Sequence, residues 1–291
     1  MTALAEALPA GRAPRRRRAD RRRRGEAVGL ATPALLFLLA LFLLPLARLL
    51  WLSLDEGLAP YARALTGELY LTVFLETFRI AAIVTLVSLV LGYPLAWWLA
   101  TTARTWRLLG LALLMLPFWT SILVRTYGWM VILGRNGIVN RMLIGTGIID
   151  APLPLLNNVS GVVIGMAHVL LPYMIFPLYA VMKRIDPGLV LAAEGMGASG
   201  WQVFRRIYFP LTLPGVLAGT TLVYVLSIGF FITPALLGGG KVAMIAVLIE
   251  QQVHTFLNWG FAAALSVVLL TATLAVYALL RFVLRGDMRW T

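Results

Sequence analysis

The sequence predicts an all-α fold of six membrane-spanning helices, and three observations lead to it: composition, apolar runs and the placement of charge. Of the 291 residues, 60% are hydrophobic and 13% are charged, whereas soluble domains are closer to half apolar and about a quarter charged. The apolar runs reach the length of about 20 residues that a helix needs to cross a bilayer. They lack the alternation of barrel strands, so helices are expected to satisfy the backbone inside the membrane.

Six apolar runs are predicted as spans. In chain order they cover residues 28–51, 73–100, 108–133, 159–182, 212–237 and 259–283. The flanking pieces are a basic arm at 1–27, predicted to be disordered, and a short tail at 286–291, so that residues 28–285 form one membrane domain. A secretory or twin-arginine export signal competes for the first run. That run is longer than the apolar region of a signal peptide, and no small-residue cleavage site stands out.

Basic residues are distributed unevenly between the two sides of the predicted bundle. Nine arginines lie between positions 12 and 24, and nine further basic residues lie in the other segments assigned to the inner side; the outer segments hold four. This asymmetry follows the positive-inside rule and predicts that both termini are cytoplasmic. The net charge of +13 is therefore interpreted as orientation and attraction to anionic membrane lipid, and no nucleic-acid partner is expected.

Four polar residues within the runs are candidates for a pathway or gate: Arg125, Tyr127, Tyr224 and Ser227. An arginine at the centre of a span costs about 2.5–3.5 kcal/mol on an insertion scale, so Arg125 needs a partner or a cavity. It is either an ion-paired residue that stabilises the bundle or a pathway residue. Tyr127 fits an interfacial belt equally well. Tyr224 and Ser227 share a helix face, where hydroxyls either bond between helices or line a polar path.

Other polar residues have structural interpretations. Glu76 and Arg79 are three apart and are predicted to pair. His168 and His254 lack acidic or thiol neighbours and are interpreted as packing residues. There is no cysteine, no metal site is predicted, and no nucleophile–base–acid arrangement is found. The Gly240-Lys241 pair lacks the glycine and the hydroxyl residue of a phosphate-binding loop, so this chain is not expected to hydrolyse ATP.

Two outer loops connect the predicted spans. Residues 134–158 are predicted to form a short interfacial helix followed by a turn. The last outer loop is expected over residues 233–258.

The connector at residues 186–210 is the most informative segment, because it is polar at both ends and lies between two apolar runs. Asp186 and Pro187 are predicted to begin a helix, and Gly197 to end it in a left-handed conformation. Ser199 is predicted to cap a second helix with Gln202 as its capping-box partner. An apolar stripe runs along the first helix at Leu189, Ala192, Ala193 and Met196. This stripe either packs on the inner ends of the spans or receives a soluble partner.

The connector resembles the cytoplasmic "EAA" loop of permeases from binding-protein-dependent ABC transporters. Ala192, Ala193, Gly197, Ile207 and Pro210 match its pattern at the family's spacing. The chain departs from it with Leu191 in place of the usual glutamate and Phe209 in place of the usual leucine. Five further segments resemble the spermidine/putrescine-type permeases: residues 117–127, 134–140, 152–156, 171–179 and 233–239. Together the resemblance covers roughly residues 28–285.

This resemblance implies a bacterial inner-membrane subunit of a type I importer, which works with a second permease subunit, two ATPase subunits and an external solute-binding protein. Residues 188–197 would be the helix that couples to the ATPase, which holds the ATP and Mg; no cofactor is expected in this chain. The coupling residues would be Leu191, Ala192, Ala193, Gly197, Ile207 and Pro210. The implied solute is a polyamine. Because such a cation would be repelled by Arg125, the ion-pair interpretation of that arginine is favoured.

Two other functional classes compete with this one. A stand-alone secondary transporter or channel is the main alternative, but ion coupling usually needs a carboxylate near the middle of a span, and none is central here. A membrane-embedded enzyme is a distant third, since the polar residues do not cluster at compatible depths.

Overall fold

The computed structural model describes residues 13–287, with side chains described from residue 32 to residue 279 and at Phe282. All regular structure in this range is helical. The helices are α1 Ala13–Ser53, α2 Ala59–Thr66, α3 Glu68–Thr101, α4 Arg104–Met115, α5 Ile122–Leu133, α6 Ile138–Gly145, α7 Val159–Met182, α8 Pro187–Gly195, α9 Gly200–Val203, α10 Phe209–Ile228, α11 Ile232–Leu237, α12 Ile245–His254 and α13 Trp259–Asp287. A 3₁₀ turn at Leu116–Trp119 and a π-helical turn at Phe204–Tyr208 join neighbouring helices.

Five stretches of helix are long and apolar enough to cross a membrane, which confirms the all-α membrane fold. They are Thr32–Ser53, Glu68–Thr101, Val159–Met182, Gly200–Ile228 and Trp259–Leu279. The fourth predicted run, 159–182, coincides with α7.

The third predicted span is not one straight helix, so that prediction was wrong in its geometry. Arg104–Trp119 and Ile122–Gly145 together qualify as a sixth span, but they are bent by 101° at the break between them. The break follows Pro117, whose ring removes a backbone donor and disfavours helix in the residue before it. Apolarity alone does not reveal such a bend.

Two other predicted boundaries need correction. The fifth run was predicted over 212–237, but α10 ends at Ile228 and residues 232–237 form the separate helix α11. The cap residue of α10 is Gly229, and glycine is a poor helix former. Helix α12 likewise occupies part of the predicted last loop.

The basic arm also differs from expectation. Residues 13–27 were predicted to be disordered but continue α1 as helix, because arginine and alanine are good helix formers. The rest of the arm, residues 1–12, and the last four residues of the tail, 288–291, lie outside the described residues.

The core of the bundle is a triangle of α3, α7 and α10. Its centre is the fully buried Met174, which lies between two glycines. A Cβ atom placed on Gly92 would lie 3.0 Å from Met174 Cγ, and one on Gly219 would lie 3.0 Å from the Met174 carbonyl oxygen. The missing side chains therefore let three helices approach closely, as small residues do in membrane bundles.

Contacts along these helices define two ends of the molecule. At one end Lys183 Nζ approaches the Ala100 carbonyl oxygen at 3.5 Å, so that α3 and α7 run parallel and finish together beside the connector. At the other end, the loop end, Asn157 N–H donates to the Leu237 carbonyl at 2.9 Å. Helix α10 runs back from the connector to the loop end, antiparallel to both.

The loop end is ordered by one buried amide. Asn140 is fully buried; it donates to the carbonyls of Gly134 and Leu153 at 3.1 and 3.0 Å and accepts from Leu153 N–H at 2.8 Å. It thereby ties α6 to the loop that follows, which confirms the predicted short helix and turn. On α3, Arg79 Nη1 donates to Glu76 Oε1 at 2.8 Å, which confirms the predicted pair.

Candidate functional site: the connector at residues 186–210

The first half of the connector folds as its sequence predicts. Asp186 Oδ1 accepts from Gly188 N–H at 2.8 Å, and Pro187 is the first residue of α8. Gly197 has φ +84°, a left-handed conformation that costs other residues energy but not glycine. These features fix where α8 begins and ends.

The second half is continuous with a membrane span. Ser199 Oγ accepts from Gln202 N–H at 3.4 Å, and Gln202 Oε1 accepts from Ser199 N–H at 2.9 Å, so the predicted capping box is present. Helix α9 then passes through the π-helical turn Phe204–Tyr208 into α10. The second half of the connector is therefore joined to α10 by continuous helix.

The apolar stripe on α8 faces away from the protein at three of its four positions. Leu189, Ala192 and Met196 are exposed, Met196 by 82%, and Ala193 alone is buried. The interpretation that this stripe packs on the chain's own helix ends is therefore wrong for three residues. An apolar face left in solvent is typical of a docking surface.

Leu191, the residue in place of the family's usual glutamate, is 66% exposed, and Trp201 at the start of α9 is 67% exposed. We call five exposed apolar residues of the connector, on α8 and at the start of α9, the docking surface: Leu189, Leu191, Ala192, Met196 and Trp201. Of the remaining motif residues, Ile207 is half-buried in the π-helical turn and Pro210 is exposed at the start of α10. Arg205 and Arg206 are exposed beside them.

Aromatic contacts join the connector to α3. Phe204 lies between Trp201 and Tyr208, with ring centroids 5.6 and 6.5 Å away, and it makes an edge-to-face contact with Tyr93 at a centroid distance of 6.2 Å. The hydroxyls of Tyr93 and Thr212 are 3.0 Å apart, within hydrogen-bond distance. Tyr93 was not among the residues predicted from the sequence, although an aromatic residue near the inner end of a span is a recognisable signal.

A cavity of about 650 Å³ lies between the connector and the ends of α3 and α7. Leu191 and Glu194 of α8 line one side, and Trp97 and Lys183 line the other. Helix α8 is therefore not packed tightly against the bundle along its whole length.

The four pathway candidates do not come together. Tyr224 lines a cavity of about 480 Å³ between α3, α10 and α13, with Thr85 and Thr220. Ser227 is fully buried and donates to its own helix at the Val223 carbonyl, 2.7 Å away, so it bonds within the helix. Tyr127 is 54% exposed on α5, which packs on α11 and α7.

Arg125 differs most from its favoured interpretation. Among the residues whose side chains are described, no acidic group forms an ion pair with it, and its Nε atom is buried without a hydrogen-bond partner. His168 behaves as expected for a packing residue, since its Nδ1 accepts from Trp129 Nε1–H at 3.1 Å. Within the described part of the chain, no three His, Cys, Asp or Glu residues come together to hold a metal ion.

Comparison with known proteins identifies the family. The model of the binding-protein-dependent transport system inner membrane component matches residues 27–286. The chain belongs to this family. It is thus a multi-pass permease subunit of an ABC importer, located in the inner membrane and not itself an enzyme, and the alternative of a stand-alone secondary transporter is not supported.

Two curated relatives carry the same description. The spermidine/putrescine transport system permease protein PotB of Salmonella typhimurium is 43% identical over 209 residues, which cover 72% of each chain. That of Haemophilus influenzae is 37% identical over 261 residues, covering 84% of this chain and 91% of the relative.

Solved structures agree on the fold. A bacterial ABC transporter that imports alginate superposes with a TM-score of 0.71 at 18% identity, covering 94% of this chain and all of that one. The alginate transporter in complex with its pentasaccharide-bound periplasmic protein gives a TM-score of 0.74 at 17% identity, with coverage of 93% and 98%. At this level of identity the likeness concerns the fold alone.

Proposed function

We propose that this chain is a permease subunit of a polyamine importer, and that an ATPase bound at the docking surface of the connector drives it. The observation that carries the proposal is the exposed apolar face of α8, which lies on a segment that matches the family's coupling loop. The ATPase subunits would bind the ATP and Mg. A second permease subunit would complete the pathway, and an extracytoplasmic binding protein would deliver the solute.

The contacts of the connector support a mechanical role. Helix α9 continues into α10, and Phe204 and Thr212 both contact Tyr93 of α3. A movement of the ATPase would therefore shift α10 and α3 together. Because both helices pack on Met174 of α7, the core triangle would move as a unit. The cavity beside α8 would allow α8 to change its position relative to the triangle.

The direction of import follows from the proposed orientation. The segments assigned to the inner side, which include the basic arm and the connector, carry 18 of the 25 basic residues and would lie in the cytoplasm. The connector would then face the cytoplasmic ATPase, and the loop end, with α2 and α6, would face the binding protein. The names of the two curated relatives support spermidine or putrescine as the solute.

The test replaces one exposed methionine at each end of the molecule. Met196→Arg places a charge on the docking surface, where the wild-type side chain is 82% exposed; Met142→Arg does the same on α6, where it is 65% exposed. We expect Met196→Arg to lower the ATPase recovered with the tagged chain, and the uptake of radiolabelled spermidine, by tenfold or more. Met142→Arg should leave ATPase recovery unchanged.

Both variants should reach the membrane at wild-type level, because neither side chain is buried. Normal ATPase recovery and normal ATP-driven uptake in Met196→Arg would contradict the coupling role. ATP-driven uptake of another solute with no uptake of spermidine would contradict the polyamine assignment alone.

A further inference from the structure

Arg125 lies near the middle of the membrane-spanning bundle. Two contacts with α7 bracket its depth: on one side of it in the chain, the Phe118 ring lies 5.4 Å from that of Tyr173, and on the other Trp129 hydrogen-bonds His168. Arg125 is therefore level with the region between residues 168 and 173. The middle of α7, which spans 159–182, is at residues 170 and 171. A helix of this length is about 36 Å long, slightly more than the hydrocarbon core.

The guanidinium group is only partly accounted for within the chain. The side chain is partly exposed, while Nε is buried and makes no hydrogen bond. Its electrostatic neighbours are His168 and Tyr173, and neither carries a carboxylate. A charge at this depth is costly unless it is paired or hydrated, and no described residue of this chain supplies the pair.

A second copy of this chain does not offer that group. Acids with described side chains lie in the connections, at helix ends or on short helices, except Glu76 on α3. Gly92 of α3 is level with Met174, so the middle of the membrane corresponds to about Ser88. Glu76 lies about 18 Å from that level, and it is already paired with Arg79.

Lipid phosphate is also out of reach. Both ends of α7 lie about 16–18 Å from the level of Arg125. A helical side chain leaves the backbone toward the N-terminus of its helix, which for α5 means away from the loop end and toward the break after α4. A single arginine side chain directed this way does not reach a headgroup.

The surface beside Arg125 suits another membrane helix. Val124, Tyr127, Gly128 and Val131 form an exposed stripe along α5, with Val124 at 66% and Val131 at 69%. A Cβ placed on Gly128 would meet no atom within 4 Å, so the stripe has a shallow notch at its centre. Apolar side chains around a small residue allow a helix to approach closely.

We propose that a helix of a second, different membrane subunit packs on this face of α5 and places an Asp or Glu carboxylate against Arg125. The inference rests on the proposed function, in which the chain works beside another permease subunit. The positive charge of Arg125 favours a partner that carries a carboxylate, whereas a polyamine would be repelled by it. The pairing also explains how a pathway for cations accommodates this arginine: its charge is neutralised by the partner.

The test uses the intact transporter, purified in mild detergent through a tag on this chain. Arg125→Gln should lower the ratio of the second membrane subunit to the tagged chain at least tenfold, and Arg125→Lys should retain most of it because the charge remains. Arg79→Gln is the matched control, since its ion pair is exposed and internal, and it should leave the ratio unchanged. An unchanged ratio in Arg125→Gln would overturn the proposal.

A second measurement leaves Arg125 intact, so it does not depend on the variant's stability. A photoreactive residue at Val124 should cross-link to a membrane subunit of different sequence. Cross-links to another copy of this chain, to the binding protein or only to lipid would overturn the proposal. The ATPase in the same preparation keeps the two hypotheses apart: its absence from the wild-type complex contradicts the proposed function, whereas its presence with an unchanged subunit ratio contradicts this inference alone.

Discussion

Gly195 and Gly197 stand two positions apart in the connector but have different backbone requirements. Gly195 ends α8 in helical conformation, and a Cβ there would meet no atom within 4 Å. Gly197 also has open space around it, but its φ of +84° is left-handed. Only the backbone angle separates the two sites, which makes them a matched pair for testing the connector.

Gly197→Ala is expected to impair coupling, because an L-residue in the left-handed region costs about 1–2 kcal/mol, a factor of about 5–30 in a local equilibrium. We expect ATP hydrolysis stimulated by the binding protein to fall within that range. Gly195→Ala should retain full activity, since alanine favours helix more than glycine does. Equal activities for the two variants, measured in proteoliposomes, would contradict a role for the left-handed turn.

At the scale of elements, the bundle combines long continuous helices with one sharp break. The α3, α7 and α10 triangle is held by close backbone approach at Gly92 and Gly219. The α4–α5 pair bends by 101° instead. Non-helical backbone at membrane depth is tolerated where it is buried in protein or lines a cavity, and here Phe118 in the break packs on Tyr173 and Phe176 of α7.

Gly219→Ala tests the triangle. The added Cβ would lie 2.8 Å from Met174 Sδ and 3.0 Å from its carbonyl oxygen, so α10 would be pushed away from α7. Such overpacking costs about 1–3 kcal/mol, and the thermal unfolding midpoint of the purified complex should fall. Gly145→Ala on α6, where a Cβ has no neighbour within 4 Å, is the control and should leave the midpoint unchanged. A wild-type midpoint in Gly219→Ala would show that the triangle adjusts freely.

At the scale of the whole molecule, function depends on which end faces the cytoplasm. The connector and the inner ends of α3 and α7 are at one end, and α6 and Asn140 are at the other. The charge distribution predicts that the connector end faces the cytoplasm.

The absence of cysteine from the chain makes this orientation directly testable. Single cysteines at Met196 and Met142 should be labelled by a membrane-impermeant maleimide from opposite sides. We expect Met142→Cys to react in spheroplasts and Met196→Cys to react only in inside-out vesicles. Because the ATPase covers the docking surface in our proposal, ATPase-stripped vesicles should label more strongly at position 196. Labelling of Met196→Cys in spheroplasts would show that the connector faces the outside, opposite to the predicted orientation.

Local signals in the sequence were enough to predict the connector. Asp186, Gly197, Ser199 and Gln202 act through backbone groups only a few residues away, so each prediction needed no knowledge of the rest of the fold. The same holds for the Glu76–Arg79 pair, which forms across a single helical turn. The match to the family's coupling loop was also visible, because the motif lies within one continuous segment of the chain.

The sequence by itself determined the membrane class, the helical fold, most of the spans and the connector's caps, because hydropathy and capping are local properties. The tertiary structure decided what depends on distant neighbours: the bend between α4 and α5, the burial of Ser227, the exposure of three residues of the α8 stripe, and the lack of a counter-charge for Arg125 among the described side chains. Residues 107 positions apart, such as the hydrogen-bonded Thr126 and Thr233, meet only when helices pack. The apolarity of a segment predicts that it forms a membrane helix, but it does not predict which face of that helix packs against its neighbours.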